Sequence, residues 1–99
     1  MKIIETTLTL DKTQIIELPK GARILDAQLV KGIPKLFSLA DKRQTLIPHI
    51  IAAFSHKDFI QDDYAGYYIT SLQTHGGSLV YHIFETFTET EQTHVTNYR

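Results

Sequence analysis

Cysteine is absent from this 99-residue chain. A thiol nucleophile, a thiolate metal site and a disulfide framework are therefore excluded, and the lack fits a reducing compartment. Long apolar runs are missing too. No stretch approaches the roughly 18 apolar residues that a membrane span needs. Met1-Lys2-Ile3-Ile4-Glu5-Thr6-Thr7 is interrupted too early for a signal peptide, so the expected location is the cytoplasm. Charge of neither sign dominates: 10 Lys and Arg against 11 Asp and Glu give a net charge of −1. That is far from the basic balance of a nucleic-acid binder. Lys31, Lys35, Lys42 and Arg43 are the nearest approach to a basic patch, and scattered lysines beside turns read as solubilising. No strand-turn-helix glycine motif is present, which argues against a nucleotide-binding fold. No repeat, low-complexity block or flexible linker divides the chain. Neither a cofactor, nor a nucleic acid, nor a membrane is expected as a partner.

What remains is a pattern of short β-prone runs separated by turn signals. Hydrophobic residues make up 42% of the chain, enough for one globular domain of about 100 residues to bury a core without disulfides or metal. Ile3 to Leu10 and Thr13 to Leu18 suit a pleated, half-buried surface. Pro19-Lys20-Gly21 closes the second run as a turn. From Arg23 to Val30 the residues alternate, with Leu25, Ala27 and Leu29 on one face and Asp26 and Gln28 on the other. Lys31-Gly32-Ile33-Pro34 turns the chain and Lys35 to Ala40 returns, so residues 23–40 read as a β-hairpin. Leu46 to Phe54 is ambiguous. Ile47, Ile50, Ile51 and Phe54 stand at helical spacing, while Pro48 and the isoleucines suit an irregular strand; the preferred reading is a strand from about Ile50 to Phe54, with a helical turn as the alternative. Ser55 to Asp63 is polar and reads as the longest loop. A second hairpin spans 66–87, with Thr74-His75-Gly76-Gly77 as its turn. The run Leu79 to Phe84 is apolar at both parities, as in a strand covered on both faces. The predicted fold is all-β: a small antiparallel sandwich or barrel with two core hairpins and at most one short helical turn. Residues 1–87 form its single domain, and 88–99 a polar tail or added strand.

Chemistry-bearing residues are few. His49, His56, His75, His82 and His94 include no His-x-His or His-x₃-His pair, and zinc needs three or four converging ligands. His75 and His82 straddle the second hairpin and read as a loop and a strand histidine. His56, Asp58, Asp62 and Asp63 place an imidazole near carboxylates, the raw material of a general base. The same residues serve as turn formers in any long loop. Adjacent aspartates in a strand face opposite ways, which makes Asp62-Asp63 a poor carboxylate pair. Ser55 lacks the Gly-x-Ser-x-Gly surround of a nucleophile elbow. No constellation exceeds its plain structural role, and the expectation is a non-enzyme. Tyr64, Tyr67, Tyr68 and Tyr81 are the richer signal, because tyrosine joins a large apolar body to a polar tip and is favoured at interfaces.

Two segments carry a family resemblance. Ile16-Glu17-Leu18-Pro19-Lys20-Gly21-Ala22-Arg23-Ile24-Leu25, continued by Val30-Lys31-Gly32-Ile33-Pro34-Lys35-Leu36, is similar to a Glu-Leu-Pro-x-Gly-Ala-x-Ile-Leu start followed by an Asn-Gly-x-Pro turn. Gly66-Tyr67-Tyr68-Ile69 and Gly76-Gly77-Ser78-Leu79-Val80-Tyr81-His82-Ile83-Phe84-Glu85 are similar to a Tyr-Ile-Gly-Thr strand and a Gly-Gly-Ala-Leu-Val-x-His-Val-Phe-Glu ending. Over about residues 14–85 the chain thus resembles a family of small bacteriophage and prophage proteins. It departs from that pattern at Lys35-Leu36-Phe37, where members carry Cys-Leu-Trp, and at Ser55-His56-Lys57, where they carry Gly-His-Pro. The matching positions are turns and core, so the resemblance implies origin and no catalytic residues.

The expected function is that of a phage-type accessory protein in the host bacterial cytoplasm. It would act by non-catalytic binding to a host protein, such as a component of a defence complex. The alternative is a virion or self-assembling structural component. The expected binding surface is the C-terminal sheet, with Tyr67, Tyr68, Tyr81, His82 and Phe84. A strand apolar on both faces needs a second cover: the tail after Thr88, a host protein, or another copy of the chain. A symmetric homodimer is the simplest of these, because it needs only one patch.

Overall fold

The computed structural model describes residues 1–10 and 13–86. Seven strands run through them: β1 Lys2–Thr7, β2 Thr13–Pro19, β3 Arg23–Val30, β4 Ile33–Ala40, β5 Leu46–Ser55, β6 Gly66–Thr74 and β7 Leu79–Thr86. They form two antiparallel sheets, β1-β4-β3 and β2-β5-β7-β6, packed as a compact sandwich. The predicted all-β fold and both hairpins are present. The expected tail, 88–99, lies outside the described residues. Among the described residues, no helix is long and apolar enough to cross a membrane.

Local chemistry explains the elements. The β3–β4 turn is only Lys31-Gly32, with φ of 51° and 79°. Positive φ at both positions makes the tight turn that matches the twist of a two-residue hairpin. Pro34 therefore belongs to β4, paired with Leu29, and not to the turn. Sheet-to-sheet packing buries Leu36 and Ala27 from the first sheet against Ile16, Leu18, Ile51, Ala53, Leu72 and Ile83 from the second. Leu8 closes the corner between β1 and β2: its N–H donates to the Pro34 carbonyl at 2.9 Å and its side chain is buried. The strand expected over Ile3 to Leu10 accordingly ends at Thr7.

Three further expectations are corrected. The ambiguous segment is strand throughout, starting at Leu46, ahead of the expected Ile50. Its apparent helical spacing arises because β5 lies between β2 and β7 and is covered on both faces. Ile51 and Ala53 point into the core, and Ala52 on the other face is also buried. Pro48 lies opposite Glu17 of β2, two residues before Ile50, which pairs with Thr86 of β7. The one helical turn among the described residues sits instead at the tip of the second hairpin, His75–Gly77. Finally, Leu25 does not share the inward face with Ala27. A bulge between Ile24 and Asp26 shifts the alternation by one residue, so Ile24 packs on the core and Leu25 is 45% exposed.

Candidate functional site

The central strand β7 fixes the site. Ile83 points into the sandwich and is fully buried, so His82 and Phe84 point to the outer face of the four-stranded sheet. In register, Phe84 lies between Ala52 of β5 and Tyr68 of β6, and His82 lies between Phe54 and Ser71. A bulge at Ile69 resets the β6 ladder between Tyr68 and Thr70. His56 follows β5 by one residue and keeps the parity of Phe54. Tyr68 and His56 thus both become diagonal neighbours of His82, within reach for long side chains.

These residues meet. The Tyr68 hydroxyl is 2.9 Å from His82 Nδ1, and His82 Nε2 is 2.9 Å from His56 Nε2. The two imidazole planes differ by 13° with centroids 5.1 Å apart. The centroid distance exceeds the Nε2 separation by about the width of one ring, so the rings lie end to end in nearly one plane and are not stacked face to face. Each contact needs one proton. Either Tyr68 donates to His82 and His82 to His56, or the chain of donors runs the other way.

An aromatic cluster supports this row. Phe84 meets Tyr68, Tyr64 and Phe54 edge to face at 5.3, 5.5 and 5.8 Å, and Tyr64 also meets Phe54 at 5.4 Å. Such pairs add about 0.5–1.5 kcal/mol each beyond the area they bury. Tyr64 reaches the sheet from the loop before β6. Its ring lies over Gly66, where an added Cβ would stand 2.6 Å from the Tyr64 Cε2 atom. Burial raises the Tyr64 hydroxyl above its ordinary pKa. Among the described residues that hydroxyl finds no hydrogen-bond partner of good geometry, and the nearby Thr86 hydroxyl donates its proton to the Ala65 carbonyl at 2.9 Å. A groove of about 310 Å³ opens beside the row, between the turn at 55–57 and residues 78–81.

The five residues named for one binding surface do not all share a face of the sheet. Tyr68, His82 and Phe84 stand together on the outer face. Tyr81 has the parity of Ile83, packs against the core and reaches the groove. Tyr67 pairs with Glu85, on the side of β6 opposite to Tyr68, and is 42% exposed. The bulge at Ile69 and the strict alternation of β7 are the causes.

Other candidates are placed as follows. Asp58 closes its turn by accepting from the Ser55 N–H at 2.8 Å and the Ser55 hydroxyl at 3.3 Å. Asp62 and Asp63 are exposed in the loop that follows. His75 stands at the hairpin tip, its Nδ1 3.0 Å from the Thr74 hydroxyl, and His94 lies outside the described residues. Among the described residues, no group of three or more His, Asp or Glu side chains converges as metal ligands do. The basic residues do not gather: Lys31 and Arg43 lie beyond opposite ends of β4. Lys35 is spent on Thr7 at 2.6 Å and Glu5 at 3.8 Å. Arg43 clamps Asp41 through two 3.0 Å hydrogen bonds, which hold that carboxyl at about 2.

Sequence reasoning missed two histidine pairings. His56 meets His82, and His49 Nδ1 contacts Glu85 Oε2 at 2.6 Å in a mostly buried pair. The partners are 26 and 36 residues apart. Only the β5–β7 register brings them together, and no local spacing announces it.

Turns, core positions and the Gly-Gly-x-Leu-Val-x-His-x-Phe-Glu strand are therefore what this fold spends its sequence on. Residues 1–94 match the family described as Domain of unknown function (DUF7352). The chain belongs to that family. No curated protein and no solved structure matches it. The DUF7352 match extends at both ends beyond residues 14–85, taking in β1 and reaching past β7.

Proposed function

We propose that this DUF7352 chain is a phage-type accessory protein of the bacterial cytoplasm that works by binding protein, without a catalytic step, through the outer face of its four-stranded sheet. The observation that carries the reading is the Tyr68–His82–Phe84 surface. Tyr68 is 55% exposed yet is held by Phe84 beneath it and by His82 beside it. A large aromatic side chain already fixed in place loses little entropy on binding, which is the property of an interface anchor. The first occupant is a second copy of the chain, since a two-fold interface needs only one self-complementary patch. A host protein, as a component of a defence complex, then binds at its rim. The phage direction of this proposal rests on the sequence resemblance in the two hairpin segments.

Light scattering after size exclusion, paired with affinity capture from a bacterial host and mass spectrometry, tests it. Wild type should run as a dimer and capture a reproducible host protein. Tyr68→Ala should become monomeric and lose the captured protein, while keeping a cooperative thermal transition that is lowered by the loss of its contact with Phe84 and of the dimer. A wild-type monomer at micromolar concentration, or capture that survives Tyr68→Ala, would sink the proposal.

A further inference from the structure

The outer strands of the two sheets are β1 and β3 in one and β2 and β6 in the other. An outer strand leaves a row of backbone N–H and C=O groups without a ladder partner, and proteins blunt such rows with bulges, lysines or cover. β3 and β6 lie against each other, and each carries a bulge. β1 carries Lys2 and Glu5. β2 has neither a bulge nor a basic residue, and its register with β5 runs unbroken from Thr13 to Pro19.

The direction of its free groups follows from one hydrogen bond. The Lys20 N–H donates to the Thr45 carbonyl at 2.7 Å, one step beyond the Pro19–Leu46 pair. Antiparallel pairs alternate between those that exchange backbone bonds and those that do not. Gln14, Ile16 and Leu18 therefore bond to β5 as Lys20 does, while Thr13, Ile15 and Glu17 aim N–H and C=O away from it. Pro19 shares that outward parity, where its missing N–H removes no ladder bond. Among the described residues nothing pairs with this row. Thr13, Ile15 and Glu17 are all exposed, Ile15 at 68%.

The row is complementary to itself. A two-fold axis through Ile15, perpendicular to the sheet, sets Ile15 opposite Ile15 of a second copy and each Thr13 opposite a Glu17. All the outward residues that own an N–H then exchange both backbone bonds. On the outer face the two isoleucines meet, and each Glu17 carboxylate can accept from a Thr13 hydroxyl. Other axes do worse. An axis at Ile16 pairs Thr13 with Pro19, which has no N–H; one at Glu17 sets two carboxylates against each other; one at Gln14 takes Glu17 out of the strand pair.

We propose that β2 is a self-docking edge: two copies join β2 to β2, antiparallel about Ile15, and continue the four-stranded sheet from one chain into the next. The contact goes beyond the Tyr68 face and does not depend on it. One strand pair with a single isoleucine contact is a small interface, so it acts at higher concentration than the face does. Two different two-fold contacts on one chain extend the assembly past a dimer.

Sedimentation equilibrium of the full chain, from micromolar to millimolar concentration, tests it. Wild type should grow from dimer to larger species, and Tyr68→Ala from monomer to dimer. Ile15→Lys, at an exposed position, should keep the fold and abolish the concentration-dependent step in both backgrounds, because it sets like charges opposite each other. Register is read by trapping, since the chain has no cysteine of its own. Residues that exchange both backbone bonds stand about 5.5 Å apart at Cα, within disulfide reach. A mixture of Thr13→Cys and Glu17→Cys chains should therefore link into the mixed pair under mild oxidation in preference to either like pair. Masses independent of concentration in both wild type and Tyr68→Ala, or growth that survives Ile15→Lys, would overturn the proposal. Mixed pairs at no more than the random yield would overturn the register about Ile15. Backbone amides of Thr13, Ile15 and Glu17 protected from hydrogen exchange in monomeric Tyr68→Ala would show the edge covered within the chain and overturn it as well. A wild type that is monomeric at micromolar concentration, with the Ile15-dependent step intact, supports this edge and counts against the Tyr68 face alone.

Discussion

The outer faces of the two sheets both carry apolar side chains and arrange them in opposite ways. On the three-stranded sheet, Phe37 stands between Glu5 and Asp26, and Leu39 between Ile3 and Arg23. Ile3 is 64% exposed. Charges break the apolar residues into single units, which is ordinary surface for a small protein. On the four-stranded sheet the row Thr13–Ala52–Phe84–Tyr68 lies beside Phe54–His82–Ser71, and the rings interlock through Tyr64. The first face is a checkerboard, the second a small outer core. Each interlocked ring is held by its neighbours before any partner arrives, so the second face is pre-organised and the first is not.

The sharpest way to break that comparison is to remove one ring from each face. Phe84→Ala deletes three edge-to-face contacts at once and should cost about 3 kcal/mol, the lower end of core phenylalanine truncations. Phe37→Ala, among charges, should cost about 1 kcal/mol. Urea unfolding of both variants measures the difference. Equal losses would mean that the outer core is no more tightly built than the checkerboard.

Next in size is Gly66→Ala. The new methyl group meets the Tyr64 ring at 2.6 Å and the Glu85 carbonyl oxygen at 3.2 Å. The backbone cannot yield, so the ring must leave its place against Phe54 and Phe84. A loss of about 1–3 kcal/mol is expected, with a change in the near-ultraviolet circular dichroism of the aromatic residues. A neutral Gly66→Ala would show that Tyr64 is not a structural member of the cluster.

These contrasts also show what the sequence can and cannot reveal. The β6–β7 hairpin was legible because Thr74-His75-Gly76-Gly77 supplies the positive φ values its tip requires: 53° at His75, 66° at Gly76 and 91° at Gly77. The apolar run Leu79 to Phe84 announced a strand covered on both faces, and β7 is central. Leu25 was misread because a bulge leaves no local mark that distinguishes it from regular alternation. Leu46 to Phe54 was blurred because a strand apolar on both faces has no period of its own. The candidate site was legible only as a residue list. Tyr68, His82 and Phe84 could be named, but not the turn of Tyr81 toward the core. The His56–His82 contact depends on long-range register, which one sequence does not encode locally.

A smaller effect probes the checkerboard sheet through its hairpin. Lys31 occupies the first turn position with φ of 51°, a conformation that costs a side-chain-bearing residue roughly 1 kcal/mol. Asparagine tolerates it better, and Asn-Gly is the preferred pair for this turn. Lys31→Asn should stabilise the protein by about 0.5–1 kcal/mol in chemical denaturation, with no change in the aromatic cluster's near-ultraviolet signal. Destabilisation would mean that the Lys31 side chain contributes more than its backbone strain costs.

The smallest effect expected at neutral pH belongs to Tyr64→Phe, and it reports on the outer core by its pH dependence. Phenylalanine keeps the edge-to-face contacts with Phe54 and Phe84 and keeps the ring over Gly66. It removes a buried hydroxyl that has no well-formed hydrogen bond among the described residues, so at pH 7 the variant should be as stable as wild type or up to about 1 kcal/mol more stable. Burial raises the folded pKa of Tyr64 above its ordinary 10.0. As pH rises past that value, the unfolded chain loses the phenolic proton while the folded chain retains it. Proton binding then favours the folded state less and less, so the contribution of neutral Tyr64 is complete below about pH 10 and is lost as pH climbs through the higher folded value. The difference between wild-type and Tyr64→Phe unfolding free energies should be flat from pH 6 to 9. Above that range it should move in favour of the variant, because phenylalanine has no proton to lose. The subtraction cancels the other tyrosines, which titrate in both proteins. A difference that stays flat to pH 11 would place the Tyr64 hydroxyl in water and the ring outside the outer core.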